Sequence, residues 1–297
     1  MKISIIGAGN IGSNIVSQLL CKDFEISQIA LIDIFGDLAK ARALDLSHLA
    51  SVYNKKTEIS GSSDETLLKN SDIVVITAGK TRQAGQSRAD LLNDNAKIIS
   101  SCAKNVAKYA PEAIIILITN PVDTLAFVAY KASGFKKEKI IAMAGELDSA
   151  RLRYEIAKSE NVNVTDIKAS VVGAHNDEMQ ILEDEIYKFG KKFKPQNLSL
   201  IKENTINSGS KITALQKTSS FFAPAACSVK MIDAIINDKN EILICSVLDE
   251  NEIPIGRFVR LNKNGVAEIL PFDYGEKTKS GLENIKGQIL NLNKGKV

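Results

Sequence analysis

Two histidines are present for acid–base work near neutral pH, and their settings differ. His175 follows the apolar run Ala169-Ser170-Val171-Val172, inside the turn Gly173-Ala174-His175-Asn176-Asp177. A histidine at a strand end beside glycine is placed to exchange a proton with a ligand, and it is equally an ordinary loop residue. His48 lies in the helical run 39–52 among Leu44, Leu46 and Leu49, and reads as structural or surface. Asp148 and Arg151 stand at i and i+3 on one helix face, where the default is a surface ion pair of little value. Arg82 and Arg88 lie six positions apart on the glycine-containing loop 81–88, directly after a strand end. Two arginines on a loop that can close over a ligand suit an anion.

A second kind of chemistry is written at the N-terminus. Gly7-Ala8-Gly9-Asn10-Ile11-Gly12 follows the β-branched run Ile3–Ile6 and opens a helical pattern at Ile11, Ile15, Val16, Leu19 and Leu20. Gly7 allows the tight turn, Gly9 lets a pyrophosphate approach the backbone, and Gly12 lets the helix pack on the strand. The helix N-terminus then offers free N–H groups and a positive dipole end to the phosphates. Asp33, 21 residues past Gly12, is carried by the next apolar run, Ile29–Ile34. Its carboxylate suits both hydroxyls of an adenosine ribose and repels a 2′-phosphate, which favours NAD over NADP.

The elements that must position these residues alternate. Strands are expected at Ile3–Ile6, Ile29–Ile34, Ile73–Thr77, Ala113–Ile118 and Ile140–Met143, with helices at Asp37–Val52, Asp90–Tyr109 and Val122–Ala132 between them. Strand, crossover helix, strand predicts an α/β fold with a doubly wound parallel sheet and its ligand at the strands' carboxyl ends. Three of those ends carry the loops Thr77-Ala78-Gly79, Ile118-Thr119-Asn120-Pro121 and 144–148. The second half changes texture. A helix near Leu147, a strand at Ile167–Val172, strands at Glu241–Leu248 and Gly256–Leu261 and a closing amphipathic helix predict an α+β domain. The division falls into residues 1–143 and 144–297.

Composition narrows the classes. The 297 residues are 44% hydrophobic and 25% charged, and 38 basic against 35 acidic residues leave a net charge of +3. That balance gives nucleic acid no footprint, and Lys136-Lys137 and Lys191-Lys192 read as solvated faces. No apolar run reaches membrane-spanning length, and no basic leader precedes an apolar core, so neither a span nor a signal peptide is expected. Cys21, Cys102, Cys227 and Cys245 form no C-x-x-C pair and lie in apolar-periodic segments. They read as buried free thiols of a reducing cytoplasm, and no cysteine–histidine cluster points to a metal.

The glycine turn with Asp33, the loop TAGKTRQAGQSRADLL, the turn ITNPVD, LDSAR and the loop GAHND follow in an order and spacing that resembles the lactate/malate dehydrogenase family over nearly the whole chain. The resemblance implies that His175 is the proton donor and acceptor and Asp148 its partner. Arg151 then forks the carboxylate of a 2-oxo acid, Arg88 polarises its carbonyl, Asn120 bridges cofactor and substrate, and Ser220 lines the pocket. Thr77, Ala78, Gly79, Asn95 and the backbone of Ile118, Thr119 and Asn120 would touch the NAD. Arg82 would meet the substrate's far end, where lactate enzymes resemble one another in a neutral glutamine. A second cation in a closed site needs a second carboxylate, because an unpaired buried charge costs several kcal/mol. Malate and oxaloacetate supply it.

The same resemblance implies a homo-oligomer, tetramer or dimer. Two positions depart from the family's pattern. Asn176 follows the histidine in place of the usual glycine, and would tolerate a left-handed turn. Glu146 stands where a small or apolar residue is usual, to pair with a base at a subunit contact or to face solvent. Three rival readings are a lactate or broader 2-hydroxyacid dehydrogenase, an NAD-dependent glycosidase, and a silent NAD-binding sensor. The second lacks its cysteine and histidine metal ligands here. Against the third stands the full set of His175, Asp148 and three arginines.

Overall fold

Short apolar runs without alternation belong to parallel strands buried on both faces. The computed structural model, which describes residues 1–81 and 87–294, shows that arrangement. Strands β1 (Lys2–Ile6), β2 (Gln28–Ile32), β3 (Glu58–Ser62), β4 (Ile73–Ile76), β5 (Ile114–Leu117) and β6 (Ile140–Met143) are parallel, in the order β3-β2-β1-β4-β5-β6. Helices α1 (Asn10–Leu20), α2 (Gly36–Val52), α3 (Arg88–Tyr109) and α4 (Val122–Ser133) cover the two faces. Successive side chains divide between those faces, as a period of two requires. Ile3, Ile5, Ile73 and Val75 join the core with Ile15 and Leu19 of α1, while Ile6, Val74 and Ile76 join Ile99 and Val106 of α3. The strand order reverses between β1 and β4, and that reversal opens a crevice at their carboxyl ends.

The second half comprises α5 (Gly145–Glu160), β7 (Ile167–Lys168), β8 (Val171–Val172), β9 (Gln180–Ile181), β10 (Tyr187–Lys188), β11 (Lys191–Lys192), α6 (Leu198–Gln216), α7 (Phe222–Ile236), β12 (Glu241–Leu248), β13 (Pro254–Asn262), β14 (Gly265–Ile269) and α8 (Glu276–Lys294). It is not a separate layer. β12 pairs antiparallel with β6 through Cys245 opposite Met143 and Ser246 opposite Ala142, so one nine-stranded sheet runs from β14 to β3.

Several expectations are corrected. β3, with the sequence Glu-Ile-Ser-Gly-Ser, has no apolar run, because it is a half-buried edge strand. The run Ile167–Val172 breaks into β7, which pairs with β10, and β8, which pairs with β9. α3 starts at Arg88 and not at Asp90, because Ser87 and Asp90 form a capping box: Ser87 Oγ accepts the Asp90 N–H at 3.0 Å, and the Asp90 carboxylate accepts the Ser87 N–H. Cys21 is exposed, since it caps α1 instead of continuing its apolar face. Cys102, Cys227 and Cys245 are buried, and burial pushes the first two thiols up to about 12.

Candidate active site

The glycine turn shows three different demands. Gly7 has φ +109°, and a Cβ there would lie 2.4 Å from Thr77 Oγ1. A Cβ on Gly12 would lie 2.0 Å from the Gly7 carbonyl oxygen. These two glycines are steric necessities of the strand–helix junction. Gly9 differs: its Cβ would meet nothing within 4 Å among the described residues, so its freedom serves something outside that packing. α1 begins with no side-chain cap, which leaves the N–H groups around Asn10, Ile11 and Gly12 for a ligand. Asp33 is anchored at the end of β2, accepting the Ala8 N–H at 2.7 Å and the Phe35 N–H at 2.9 Å. An open glycine, an uncapped helix end and a held carboxylate fit a dinucleotide: pyrophosphate over Gly9 and ribose on Asp33.

Beside this turn lies a cleft of about 350 Å³. Of the predicted residues it is lined by Ile11, Thr77, Gly79, Ile118, Thr119, Asn120, Arg151, His175 and Ser220. The carboxyl ends of β1, β4 and β5 thus meet the second half of the chain. Lys80, Thr81, Leu91, Met143, Leu147, Gly209, Thr213, Ser219 and Pro224 complete the lining and were not anticipated from the sequence. Lys80, Thr81, Leu91 and Leu147 lie within the motifs already quoted without a role of their own, whereas Gly209 and Thr213 enter only because α6 crosses the cleft. Gly209 has a packing signal of its own: its Cβ would lie 3.3 Å from an Arg151 guanidinium nitrogen, so a bare helix surface seats that cation.

At the floor, His175 Nδ1 lies 2.7 Å from Asp148 Oδ2, and an Arg151 guanidinium nitrogen lies 3.3 Å from Asp148 Oδ1. Side-chain exposures of 2% for Asp148, 11% for His175 and 17% for Arg151 remove the surface-ion-pair reading. An ionised carboxylate only accepts, so Nδ1–H donates and Nε2 is the nitrogen left for a ligand. Burial works against the imidazolium, but the charge and hydrogen bond of Asp148, helped by the charge of Asp123, outweigh it and hold the His175 pKa above its usual value. Gly173, with φ +88°, turns the chain after β8 and pairs with Gly256 of β13, which brings His175 over α5. His48, by contrast, is exposed on α2.

Some predicted residues lie elsewhere. Asn95 is wholly buried below the cleft, not in its lining: it accepts the Lys80 N–H at 2.8 Å and donates to the Asn120 carbonyl at 2.8 Å. It ties the loop after β4 to the loop after β5, where the Asn120–Pro121 bond is cis. Ala78 contributes backbone to the same stitching, its carbonyl accepting the Thr119 hydroxyl at 2.7 Å. Asn176 does not take a left-handed conformation; its side-chain oxygen accepts the Glu178 N–H at 2.7 Å and closes the turn that way. Glu146 does not face solvent but is buried and accepts from Lys230 of α7 at 2.8 Å within the same chain. Arg82 lies outside the described residues, and Arg88 opens α3 with its side chain outside them too.

Comparisons with known proteins place the chain in a family. Residues 1–142 match the model of the lactate/malate dehydrogenase NAD binding domain, and residues 145–296 match that of the family's alpha/beta C-terminal domain. A malate dehydrogenase of Methanosarcina mazei is 39% identical over 280 residues, covering 91% of each chain. The crystal structure of Cryptosporidium parvum malate dehydrogenase superposes with a TM-score of 0.93 at 33% identity, over 99% of both chains. The lactate dehydrogenase of the same organism, complexed with lactic acid and nicotinamide adenine dinucleotide, superposes with a TM-score of 0.91 at 30% identity over 98% of both. Near-equal likeness to both structures means that the fold alone does not choose between the two substrates. With an uncapped helix beneath an open glycine, and a histidine held between the two halves, the chain belongs to the lactate/malate dehydrogenase family and carries its NAD-binding domain.

Proposed function

We propose that this chain is an NAD-dependent malate dehydrogenase, interconverting (S)-malate and oxaloacetate, with residues 1–143 holding the cofactor and residues 144–297 most of the substrate. The observation that carries the reading is the buried relay of Arg151, Asp148 and His175 at the floor of the cleft. In malate oxidation, neutral His175 takes the hydroxyl proton on Nε2 while Asp148 holds the tautomer and stabilises the imidazolium as it forms. Bound NAD supplies the hydride acceptor for the substrate's C2. Arg151, seated against Gly209, holds the adjacent carboxylate in a fork, and Asn120 and Ser220 border it. Gly7, Ala8, Gly9, Asn10, Ile11, Gly12 and Asp33 carry the pyrophosphate and adenosine ribose, while Thr77, Ala78, Gly79, Ile118 and Thr119 form the wall beside them. Asn95 lies beneath that wall and fixes it from below.

Arg82 and Arg88 belong to the reading through the sequence of their loop and its family resemblance. Arg88 stabilises charge developing on the reacting oxygen, and Arg82 meets the distal carboxylate. Curated relatives named malate dehydrogenase favour that choice. Free cysteines, three of them buried, support a cytoplasmic enzyme, where this reaction serves the tricarboxylic acid cycle. Exposed Leu38, Leu44, Val52 and Tyr53 along α2 support a homo-oligomer, dimer or tetramer. The test is turnover. Purified protein should oxidise NADH when given oxaloacetate, and His175→Asn should bind NADH but lose that turnover. Near-normal turnover in the variant removes His175 from the reaction.

A further inference from the structure

His175 is held by two carboxylates. Asp148 takes its ring, and Asp123, in the first turn of α4, takes its backbone: Asp123 Oδ2 accepts the His175 N–H at 2.8 Å. Asp123 is buried and lies three residues past Asn120, so the turn that presents Asn120 to the cleft also carries the group that fixes His175. Among the described residues its other oxygen, Oδ1, makes no hydrogen bond of regular geometry, but the buried Ser246 hydroxyl on β12 lies close enough to favour the charged form. A buried carboxylate with one oxygen poorly satisfied is costly. Anchoring one backbone N–H needs only a neutral acceptor, which asparagine would supply. A negative charge on Asp123 is sustained best when His175, whose backbone N–H it accepts, is protonated.

The groups bearing on Asp123 are few. Burial, with the charge of Asp148 on α5, holds the Asp123 carboxyl pKa above its usual value; the Ser246 hydroxyl, the His175 N–H and the imidazolium charge offset part of that rise. His175 in turn is favoured as imidazolium by Asp148 and then Asp123, and disfavoured by burial and by Arg151. We propose that Asp123 is a positioning residue for proton transfer, fixing the His175 backbone through its carboxylate and supporting the imidazolium as a second negative partner beside Asp148. This rests on the reading of His175 as the proton carrier.

The test follows the imidazole itself. With two histidines in the chain, labelled full-length protein gives two histidine titrations by NMR, and His48→Gln assigns them. Asp123→Asn keeps an acceptor for the His175 N–H and removes the charge. The His175 midpoint should then fall by several tenths of a pH unit or more, while His48 stays in place. The pH at which oxaloacetate reduction declines should move down with it, and NADH binding should persist. Ser246→Ala, the milder change, removes a group that favours ionised Asp123 and should shift the His175 midpoint the same way, by less. A wild-type midpoint in a folded Asp123→Asn variant overturns the proposal; if that variant does not fold, an unmoved midpoint in Ser246→Ala overturns it. Failure of the functional reading appears separately, as wild-type protein that does not turn over oxaloacetate while Asp123→Asn still moves the His175 titration.

Discussion

Replacing Asp148 by asparagine perturbs the relay at one point and changes almost no volume. The native carboxylate is 2% exposed and bonds the His175 ring at 2.7 Å, so the imidazolium that forms there loses its counter-charge at a largely buried position. Breaking such a pair costs about 3–5 kcal/mol. At about 1.4 kcal/mol per decade, kcat/KM for oxaloacetate reduction should fall roughly a hundred- to several-thousand-fold at neutral pH. The sign with pH follows from the raised His175 pKa, which Asp148 sustains against burial. Reduction requires the imidazolium, so its rate falls as pH rises through that pKa, and the variant should show the same fall at lower pH. Its deficit is therefore smallest in acid. Malate oxidation requires neutral imidazole, so its acid-side decline should also move down. The assay is NADH absorbance with oxaloacetate across pH, alongside NADH binding by fluorescence. A loss below about tenfold with the wild-type pH profile would refute the relay.

Gly9→Ala should fold with near-native thermal stability, because its Cβ enters open space at φ −72°, yet bind NADH about tenfold more weakly. Gly12→Ala should instead lower the melting temperature, since its Cβ would stand 2.0 Å from a backbone oxygen; equal melting temperatures for the two variants would contradict this division of roles. Asp33→Ser should narrow a strong preference for NAD over NADP, measured as the ratio of kcat/KM values, and comparable wild-type values would remove Asp33 from that role. Arg82→Gln should lower kcat/KM for oxaloacetate by roughly 10²–10³-fold or more, at about 3–5 kcal/mol for an unpaired buried charge, and improve pyruvate. Arg88→Gln should depress both substrates through kcat, and equal loss of both in Arg82→Gln would deny it the specificity role.

What was legible in the sequence was what a local pattern encodes. β4, β5 and β6 are continuous apolar runs, and β1 is one broken only by Ser4 after its opening Lys2, as suits parallel strands buried on both faces. Glycine spacing and Asp33 could be read because each position answers a steric or electrostatic need visible within one strand–turn–helix unit. β3 was hidden because an edge strand needs no apolar run, and the break between β7 and β8 because two sheets compete for one β-branched segment. The motif LDSAR marked Asp148 and Arg151, but only the fold shows them buried, since β8 and the Gly173 turn bring His175 onto α5 from far along the chain. Asn95 is given as a cofactor contact by the family resemblance, while its amide joins two loops that sequence spacing does not bring together. Gly209 and Thr213 carry no motif, and α6 places them by tertiary packing alone.

The central claim is tested most directly by the ratio of kcat/KM for oxaloacetate to that for pyruvate, measured with purified wild-type protein and saturating NADH. A site with a cation for each carboxylate should prefer oxaloacetate by roughly a hundredfold or more, from about 3 kcal/mol of distal pairing. Equal values, or a preference for pyruvate, would contradict the malate assignment while leaving the NAD-binding fold intact.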